Sequence, residues 1–409
     1  MIRSGSLLLL LSLCVHAQSN PLTLEAALQL AERSNPQLRV AQAAVDGAAA
    51  GIVTAKQRPN PEFSANFGHQ AITQQSSIPG QLGWLSVAQP LEWGSARRAR
   101  AGVATLAKDS SQFGLDETRL SIRATVKQSF FEAMRRSSEV ELARDNLRNL
   151  EELRRRIEVQ VQVGEAARLE LVRADAEVAS ARVQVRSAEL RHSTALAGLR
   201  AAIGAPLGEI APQGTLEPKA ILPPLSELRD EVVARHPALL QAVSETKRAE
   251  ARLELERELR KPQPALRTET ERQPDLRVFR FGVTLPIPVW NRRQGEIAEA
   301  AAGLRQAAAA ADVRRLELTA SLERAYGVYE VAEQQVAAFE AGALRQAEAA
   351  LQASEAAFRF GERGILEVLD AQRVLRSVRS DYVNAQYDRQ SALIELERLQ
   401  AIQLGGNRP

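Results

Sequence analysis

Two long stretches of the chain carry apolar residues at intervals of three and four, which predicts two unusually long helices. The first runs over about residues 95–163 without a proline, and the second over about 292–361. At ~1.5 Å per residue, such a helix reaches ~100 Å. The apolar positions form a narrow seam, so each helix needs neighbours on its flanks. In the first stretch the seam includes Leu142, Leu147, Leu150, Leu153, Ile157 and Val161.

Each long helix is predicted to turn at a glycine and to fold back on a second helix. Gly164 ends the first stretch and is followed by a helical pattern over 166–203, while Gly361 ends the second and is followed by one over 365–403. Glycine is favoured here because such a turn uses a left-handed backbone. We therefore expect long helical hairpins at 95–203 and 292–403, with an isolated coiled-coil hairpin as the plainer alternative.

Four short segments alternate apolar and polar residues, which predicts strands at 61–70, 83–91, 264–271 and 276–285. Aromatic residues share one face, as Phe63 and Phe67 do in the first segment and Phe279 and Phe281 in the last. This alternation is typical of a lipid-facing strand of a membrane barrel. The segment 264–271 is the weakest, with Leu266, Thr268 and Thr270 facing out and Arg267, Glu269 and Glu271 facing in. Two hairpins of an ordinary soluble sheet remain the alternative.

Four strands cannot close a barrel, so the strands predict an assembly. Three chains supply a twelve-stranded barrel, which is an even number within the known range. The polar segment 71–82, around Ser76 and Ser77, is expected to form an extracellular loop, and 271–275 a tighter one with Pro274 at its turn.

The sequence contains an internal repeat, which predicts that the same elements occur twice in the same order. Residues 163–176 (VGEAARLELVRADA) align with 360–373 (FGERGILEVLDAQR), and 34–38 (SNPQL) with 235–239 (RHPAL). We predict a first repeat at 18–220, with its β-hairpin at 61–91, and a second at 221–409, with its β-hairpin at 264–285. The fold class is thus mainly α with a small transmembrane β part.

Residues 1–17 are predicted to be a signal peptide. Arg3 supplies the positive start, an apolar run of leucines follows, and small residues precede cleavage after Ala17. Cys14 offers a second interpretation, lipidation of that cysteine, although Leu13 stands where a lipobox usually has Gly or Ala.

The chemistry of the remaining residues excludes several functions. The net charge is +3 with charges interspersed, so the sequence has no basic stripe for nucleic acid. No Gly-rich phosphate loop, paired cysteines or His cluster is present, and His69, His192 and His236 lie far apart. We expect no catalytic residues, cofactor or metal ligands. A hydrolase built on Glu367 and Asp370 is the enzyme alternative, but no pocket-forming loop surrounds the pair.

With these features the chain resembles a TolC-type outer-membrane factor over essentially its whole mature length. The junction 286–297 (PIPVWNRRQGEI) is similar to that of the heavy-metal branch, the cobalt–zinc–cadmium efflux factors, which usually read Pro-Leu-Pro-Leu-Phe-Asn-Arg-Asn-Gln-Gly. Asn291, Arg292, Gln294 and Gly295 match this motif, and Arg293 departs from it. The first junction, 90–100, is the ordinary version, and nodulation-type and drug-efflux factors share parts of the second.

The resemblance implies a homotrimeric, passive conduit in the outer membrane of a Gram-negative bacterium. Its twelve-stranded β-barrel would lie in the membrane, and its long helices would form an α-barrel tunnel that extends into the periplasm. Its partners would be outer-membrane lipid, a periplasmic adaptor (membrane fusion) protein and an inner-membrane pump of the resistance–nodulation–division (RND) type. The expected cargo is heavy-metal cations. The alternatives are drug or small-molecule efflux, type I secretion and a structural coiled-coil envelope protein.

The resemblance also implies roles for residues at the two turns. The adaptor would contact the tips at Gly164, Leu169, Gly361 and Leu366. An arginine two residues past the second glycine and the acidic residues that follow would line or tie the periplasmic aperture. The matching positions hold Arg363, Glu367 and Asp370, with Glu170 and Arg173 at the equivalent places of the first hairpin. We expect Arg363 to pair with Glu170 across the hairpins.

Overall fold

The computed structural model describes residues 20–71, 78–216 and 222–401. The predicted signal segment 1–17 with Cys14, and Ser76 and Ser77 of the predicted extracellular loop, lie outside these residues. Within them the chain is mainly helical with one four-stranded sheet, which confirms the predicted fold class. No described helix combines the length and apolarity needed to cross a membrane.

The same series of elements occurs twice: a short helix, a medium helix, two strands, a long helix and a returning helix. In chain order the elements are β1 (Asn20–Leu22), α1 (Leu24–Ser34), α2 (Pro36–Lys56), β2 (Glu62–Gln70), β3 (Gly80–Pro90), α3 (Gly94–Gln162), α4 (Arg168–Ile203), β4 (Ile210–Pro212), α5 (Leu225–Arg235), α6 (Pro237–Leu259), β5 (Ala265–Arg272), β6 (Arg277–Thr284), α7 (Gln294–Ala338), a π-helical segment (Phe339–Ala343), α8 (Leu344–Arg359) and α9 (Ile365–Gln400).

Contacts divide the chain into two compact units, and each unit draws on both halves of the sequence. The first comprises Met1–Asn35, Ser121–Ile221 and Ala325–Leu396, and the second Pro36–Leu120, Leu222–Arg324 and Glu397–Pro409. The two repeats, divided at residue 220, stay a prediction about the sequence.

Within the first unit, three helices bury one apolar core next to the two turns. The core residues are Leu150, Leu153 and Ile157 of α3, Ala174, Val178 and Ala181 of α4, and Ile365, Val368 and Leu369 of α9. Their spacing of three and four residues places them on one face of each helix, as the sequence pattern predicts. The first unit also holds a parallel pair, β1 with β4, that the sequence analysis did not predict.

The second long helix is interrupted, although the sequence pattern predicted a continuous one. The π-helical segment Phe339–Ala343 separates α7 from α8, and Gly342 leaves the helical conformation. A π turn holds one more residue than an α turn and needs local support. Tyr382 of α9 gives that support: its hydroxyl donates to Glu340 at 3.0 Å, and its ring meets Phe339 edge-on with centroids 5.9 Å apart.

Within the second unit, the sheet has the order β2–β3–β5–β6 and is antiparallel throughout. Its strands overlap the four predicted segments. One row of directly paired residues joins Phe63, Val87, Thr268 and Phe281, and the next joins Ser64, Ser86, Glu269 and Arg280. Among the described residues β2 and β6 each pair with one strand only, so both edges of the sheet are open.

Candidate functional site

One face of the sheet is apolar and exposed to an extent that an isolated soluble sheet would not tolerate. Phe67 is 80% exposed, Phe279 74% and Phe281 63%. The register brings Thr268 and Thr270 of β5 to this same face, which completes it with short side chains. Large exposed apolar patches mark interaction sites, and one lined by alternate strand residues fits lipid.

The opposite face of the sheet is polar and held by a charge network. Arg280 of β6 pairs with Glu269 at 3.2 Å and with Glu271 at 2.9 Å, across the ladder from β5. Arg267 lies over the ring of Trp84, with 5.7 Å between its guanidinium carbon and the ring centroid. This is the division of faces that the sequence predicted for β5.

The first junction, between β3 and α3, is built around Arg100. Its guanidinium pairs with both carboxylate oxygens of Glu92 at 2.5 and 2.9 Å, and it also donates to the carbonyl oxygens of Ala55 and Gln57. Those two carbonyls lie at the C-terminal end of α2, where orphan acceptors need donors. Arg100 therefore ties the start of α3 to the end of α2.

The second junction shows what the NRRQG motif does. The Asn291 side chain accepts a hydrogen bond from the backbone N–H of Arg293 at 2.8 Å, and the Gln294 side chain accepts one from that of Arg292 at 2.8 Å. Both bonds satisfy donors just before α7 begins. Arg293 itself adopts a left-handed conformation, with φ 57°, and its side chain pairs with Glu256 of α6.

The conformation of Arg293 explains why the usual heavy-metal motif has Asn at the position where this chain has Arg. A left-handed backbone favours Gly or Asn, and the usual motif has Asn there. We expect Arg293→Gly to be more stable than Arg293→Ala by about 1 kcal/mol, because both lose the Glu256 ion pair and only glycine relieves the backbone. Thermal unfolding of the two purified variants measures the difference, and equal stabilities would contradict the backbone explanation.

The two turns between long helices have the same backbone geometry. Gly164 has φ 81° and Gly361 φ 73°. In the first turn the N–H groups of Glu165 and Ala166 both donate to the carbonyl of Gln160. In the second turn the N–H groups of Glu362 and Arg363 both donate to that of Ala357, at equivalent positions. A Cβ placed at either glycine meets no other atom within 4 Å. The glycines are thus needed for the backbone conformation and not for space within the chain.

Apolar residues flank both glycines and point into solvent. Val163 and Phe360 precede the glycines and are 65% and 80% exposed, and Leu169 and Leu366 follow them at 57% and 50%. Each tip thus presents an apolar pair at equivalent positions, above a core that is already filled by Ile157, Val178 and Leu369.

Three of the predicted aperture residues, Arg363, Glu367 and Asp370, lie at or just beyond the second turn. Arg363, in the turn, approaches Glu367 of α9 at 3.9 Å, and among the described residues no ion pair joins it to Glu170 as was expected from the sequence. Asp370 is held by Arg373 at 3.2 Å. Glu170 is half-buried and Arg173 exposed on α4.

Arg373 joins the two hairpins and was missed by the sequence analysis. It pairs with Glu177 of α4 as well as with Asp370. The hydrogen bond that Arg373 donates to Glu177, followed by the negative charges of Glu177 and Asp370, raises the pKa of Arg373 above its usual value. A pairing between helices far apart in sequence leaves no periodic signal, so a single sequence has no means of showing it.

Two cavities lie among the described residues, and the lining of neither indicates a cofactor. An open cavity of ≈ 1010 Å³ in the second unit is lined mainly by alanines and by charged residues of α3, α6 and α7. A smaller one of ≈ 530 Å³ in the first unit is lined by arginines and small polar residues of α3, α4 and α9. No group of three or more His, Cys, Asp or Glu side chains within the described ranges is placed to hold a metal ion.

Comparison with known proteins identifies the kind of molecule that presents these faces and tips. The family model of the outer membrane efflux proteins matches residues 27–205 and 228–401. The chain belongs to the outer membrane efflux protein family. The two matched ranges start in α1 and α5, the first helices of the two series.

Relatives cover nearly the whole chain. The cobalt-zinc-cadmium resistance protein CzcC of Cupriavidus metallidurans is 29% identical over 399 residues, which are 93% of this chain and 90% of that protein. The pyoverdine export outer membrane protein OpmQ of Pseudomonas aeruginosa is 24% identical over 406 residues, 91% of this chain and 84% of that protein. The solved structure of CusC shares the fold with a TM-score of 0.82 at 18% identity, covering 92% of this chain and 91% of that one.

The family resemblance predicted from the tips and the junction is confirmed. This member of the outer membrane efflux proteins is an outer-membrane channel protein that extends into the periplasm. Its family and fold are those of a channel and not of an enzyme.

Proposed function

We propose that three copies of this chain form the outer-membrane conduit of a tripartite efflux system that exports heavy-metal cations. The observation that carries the proposal is a sheet with two open edges and one exposed apolar face, in a member of a channel family. The conduit is passive, and the energy comes from an inner-membrane pump of the RND type through a periplasmic adaptor.

The open edges support a closed assembly. The outer edges of β2 and β6 carry backbone N–H and C=O groups that are unpaired among the described residues. Hydrocarbon offers these groups no hydrogen-bond partners, so each one left unpaired in a membrane costs on the order of several kcal/mol. Pairing of β6 with β2 of the next chain satisfies both edges, and three chains give the even number of twelve strands. A closed sheet also brings the polar face, with Arg280 and Glu269, inside.

The tips support the adaptor contact. Two turns from different halves share one hydrogen-bond pattern and one pair of exposed apolar residues, which a common partner surface would favour. Three chains would present six such tips in nearly equivalent positions.

The metal cargo rests on the junction motif and on the similarity to CzcC, while the similarity to OpmQ favours export of a small molecule as the second candidate. Deleting the gene in the bacterium that encodes it should sensitise cells to zinc, cobalt, cadmium or nickel more than to dyes and antibiotics. Inhibitory concentrations measure this, with the plasmid-borne gene as the restoring control. Sensitivity to dyes and antibiotics alone would overturn the metal cargo and leave the channel assignment in place.

A further inference from the structure

Basic residues lie in or directly beside every connection between the sheet and its helices. The four segments are 56–61, 91–100, 260–264 and 285–293, of which 91–100 includes the first seven residues of α3, and Glu92 is the one acidic residue in their sequences. The nine basic residues, here called the basic collar, are Lys56, Arg58, Arg97, Arg98, Arg100, Arg260, Lys261, Arg292 and Arg293.

The basic collar surrounds one end of the sheet. Pro90, Ala265 and Thr284 lie in one row across β3, β5 and β6, so these three connections begin at the same level. Hydrogen bonds join them further: the Trp93 indole N–H donates to the carbonyl of Pro262 at 2.7 Å, and the Gln89 side chain donates to that of Pro59 at 3.0 Å.

Most members of the basic collar form no ion pair with the described residues of the second unit. Arg100, Arg293 and Lys261 pair with Glu92, Glu256 and Glu258. Five other members of the basic collar have no carboxylate within ion-pair distance among the described residues: Lys56, Arg58, Arg97, Arg260 and Arg292. Four of the five are exposed, and Arg97 is half-buried.

Helix stability explains only part of this arrangement. Lys56 and Arg260 lie at the C-terminal ends of α2 and α6, where a positive charge complements the helix dipole. Arg97 lies at the start of α3 and Arg292 directly before α7, where the dipole disfavours a cation and favours an anion. The first turn of α3 contains no acidic residue to offset this, whereas the first turn of α7 contains Glu296. An arginine that breaks this rule at the first junction, with no acidic residue in the same turn, favours an external anion there.

The neighbours of the basic collar indicate what kind of molecule carries that anion. The apolar face continues from β6 through Ile287, which is 76% exposed, to Trp290, which is 90% exposed, and Trp93 of the other junction is 49% exposed. Tryptophans at the end of an apolar band are typical of the boundary between hydrocarbon and lipid headgroups. Because the helices leave the sheet at this end, the boundary faces the periplasm.

We infer that the basic collar binds the phosphate groups of anionic phospholipids in the periplasm-facing leaflet of the outer membrane. The inference rests on the proposed insertion of the sheet into the membrane, and it is independent of the cargo, the adaptor and the pump. Exposed arginines attract such headgroups through charge, while Trp290 and Ile287 hold the neighbouring acyl region.

The test uses the full-length protein in vesicles of phosphatidylcholine that contain either brominated phosphatidylglycerol or brominated phosphatidylcholine. Bromine quenches tryptophan fluorescence on contact, and Trp290→Phe identifies the share that comes from Trp290. We expect brominated phosphatidylglycerol to quench tryptophan fluorescence at lower mole fractions than brominated phosphatidylcholine. This preference for phosphatidylglycerol should fall as the salt concentration is raised. Equal quenching by the two lipids in the unaltered protein would overturn the inference, whatever the variants do.

A variant locates the preference. The preference for phosphatidylglycerol is expected to fall about fivefold for each arginine removed in the variant Arg58→Gln/Arg97→Gln/Arg292→Gln. The matched control, Arg155→Gln/Arg156→Gln/Arg168→Gln, removes three exposed arginines of the first helical hairpin and should keep the full preference. A preference retained by the first variant, or lost equally by both, would overturn the role of the basic collar. Quenching by brominated phosphatidylcholine shows independently that each variant is inserted, and an absence of all quenching would contradict the proposed function instead.

Discussion

Valine at both tip glycines, in the variant Gly164→Val/Gly361→Val, is expected to abolish export while the protein still assembles in the outer membrane. The left-handed backbone at these positions costs a non-glycine residue about 1–2 kcal/mol each, and a β-branched residue tolerates it worst. The loss is local, because a Cβ at either position meets no neighbouring atom and the core beneath, with Ile157 fully buried, is untouched.

Asparagine separates the two reasons for a glycine at the tip. Asn adopts the left-handed conformation more readily than Val, so Gly164→Asn/Gly361→Asn should keep the turn. It still adds a side chain where the proposed adaptor docks, so we expect this variant to lose export as well. Export is measured by metal tolerance of complemented cells, assembly by the size of the detergent-extracted protein, and docking by co-purification with the adaptor. Full export with asparagine would mean that the glycines serve the turn alone.

The sheet and the turns were predictable from the sequence because their signals are local. Alternation of Phe279 and Phe281 with Arg280 predicts which residues share a face, and the structure places Phe279 and Phe281 opposite Thr270 and Thr268 on that face. The two glycine turns were predictable for a different reason. The sequence repeats around them, and one backbone geometry then explains both copies.

The features that were missed depend on contacts between segments far apart in the chain. The π-helical segment is held by Tyr382, which lies on the returning helix. The pair of β1 with β4 joins residues from opposite ends of the first repeat. The place of Arg363 beside Glu367 was missed for the same reason, because the choice of a partner carboxylate is made by packing and has no sequence period.

The two tips share one backbone geometry but carry different charges, and this difference restricts where the periplasmic aperture can lie. Equivalent positions hold Ala166 and Arg363, and likewise Arg173 and Asp370, whereas Glu170 and Glu367 are the same. A docking surface at both tips needs the shared features. An aperture lined by the second hairpin alone is distinguished by the residues that differ, Arg363 and Asp370, with Glu367 between them. We propose that Arg363, Glu367 and Asp370 line the periplasmic aperture, where three-fold symmetry turns each into a ring of three.

Replacing the arginine of this ring should open the channel at rest. Arg363 is 64% exposed, and its pair with Glu367 lies within one hairpin and contributes only about 0–1 kcal/mol. The expected effect comes from the ring instead, because three arginine side chains narrow the aperture and three serines do not. We expect Arg363→Ser to raise the closed-state conductance of single channels in planar bilayers. Arg168→Ser, which removes an exposed arginine from the first tip, is the control and should conduct as the unaltered protein does.

Block by divalent cations added from the periplasmic side should move in opposite directions in two variants. Carboxylate rings at a constriction attract cations, so Glu367→Ala/Asp370→Ala should weaken the block. Arg363→Ser should strengthen it, because Glu367 loses the positive charge beside it and the ring becomes more negative. The triple variant, which lacks all three side chains, should show weak block and raised closed-state conductance together. If the block is unchanged in all three variants, the aperture lies elsewhere and these charges are only solvated ends of helices.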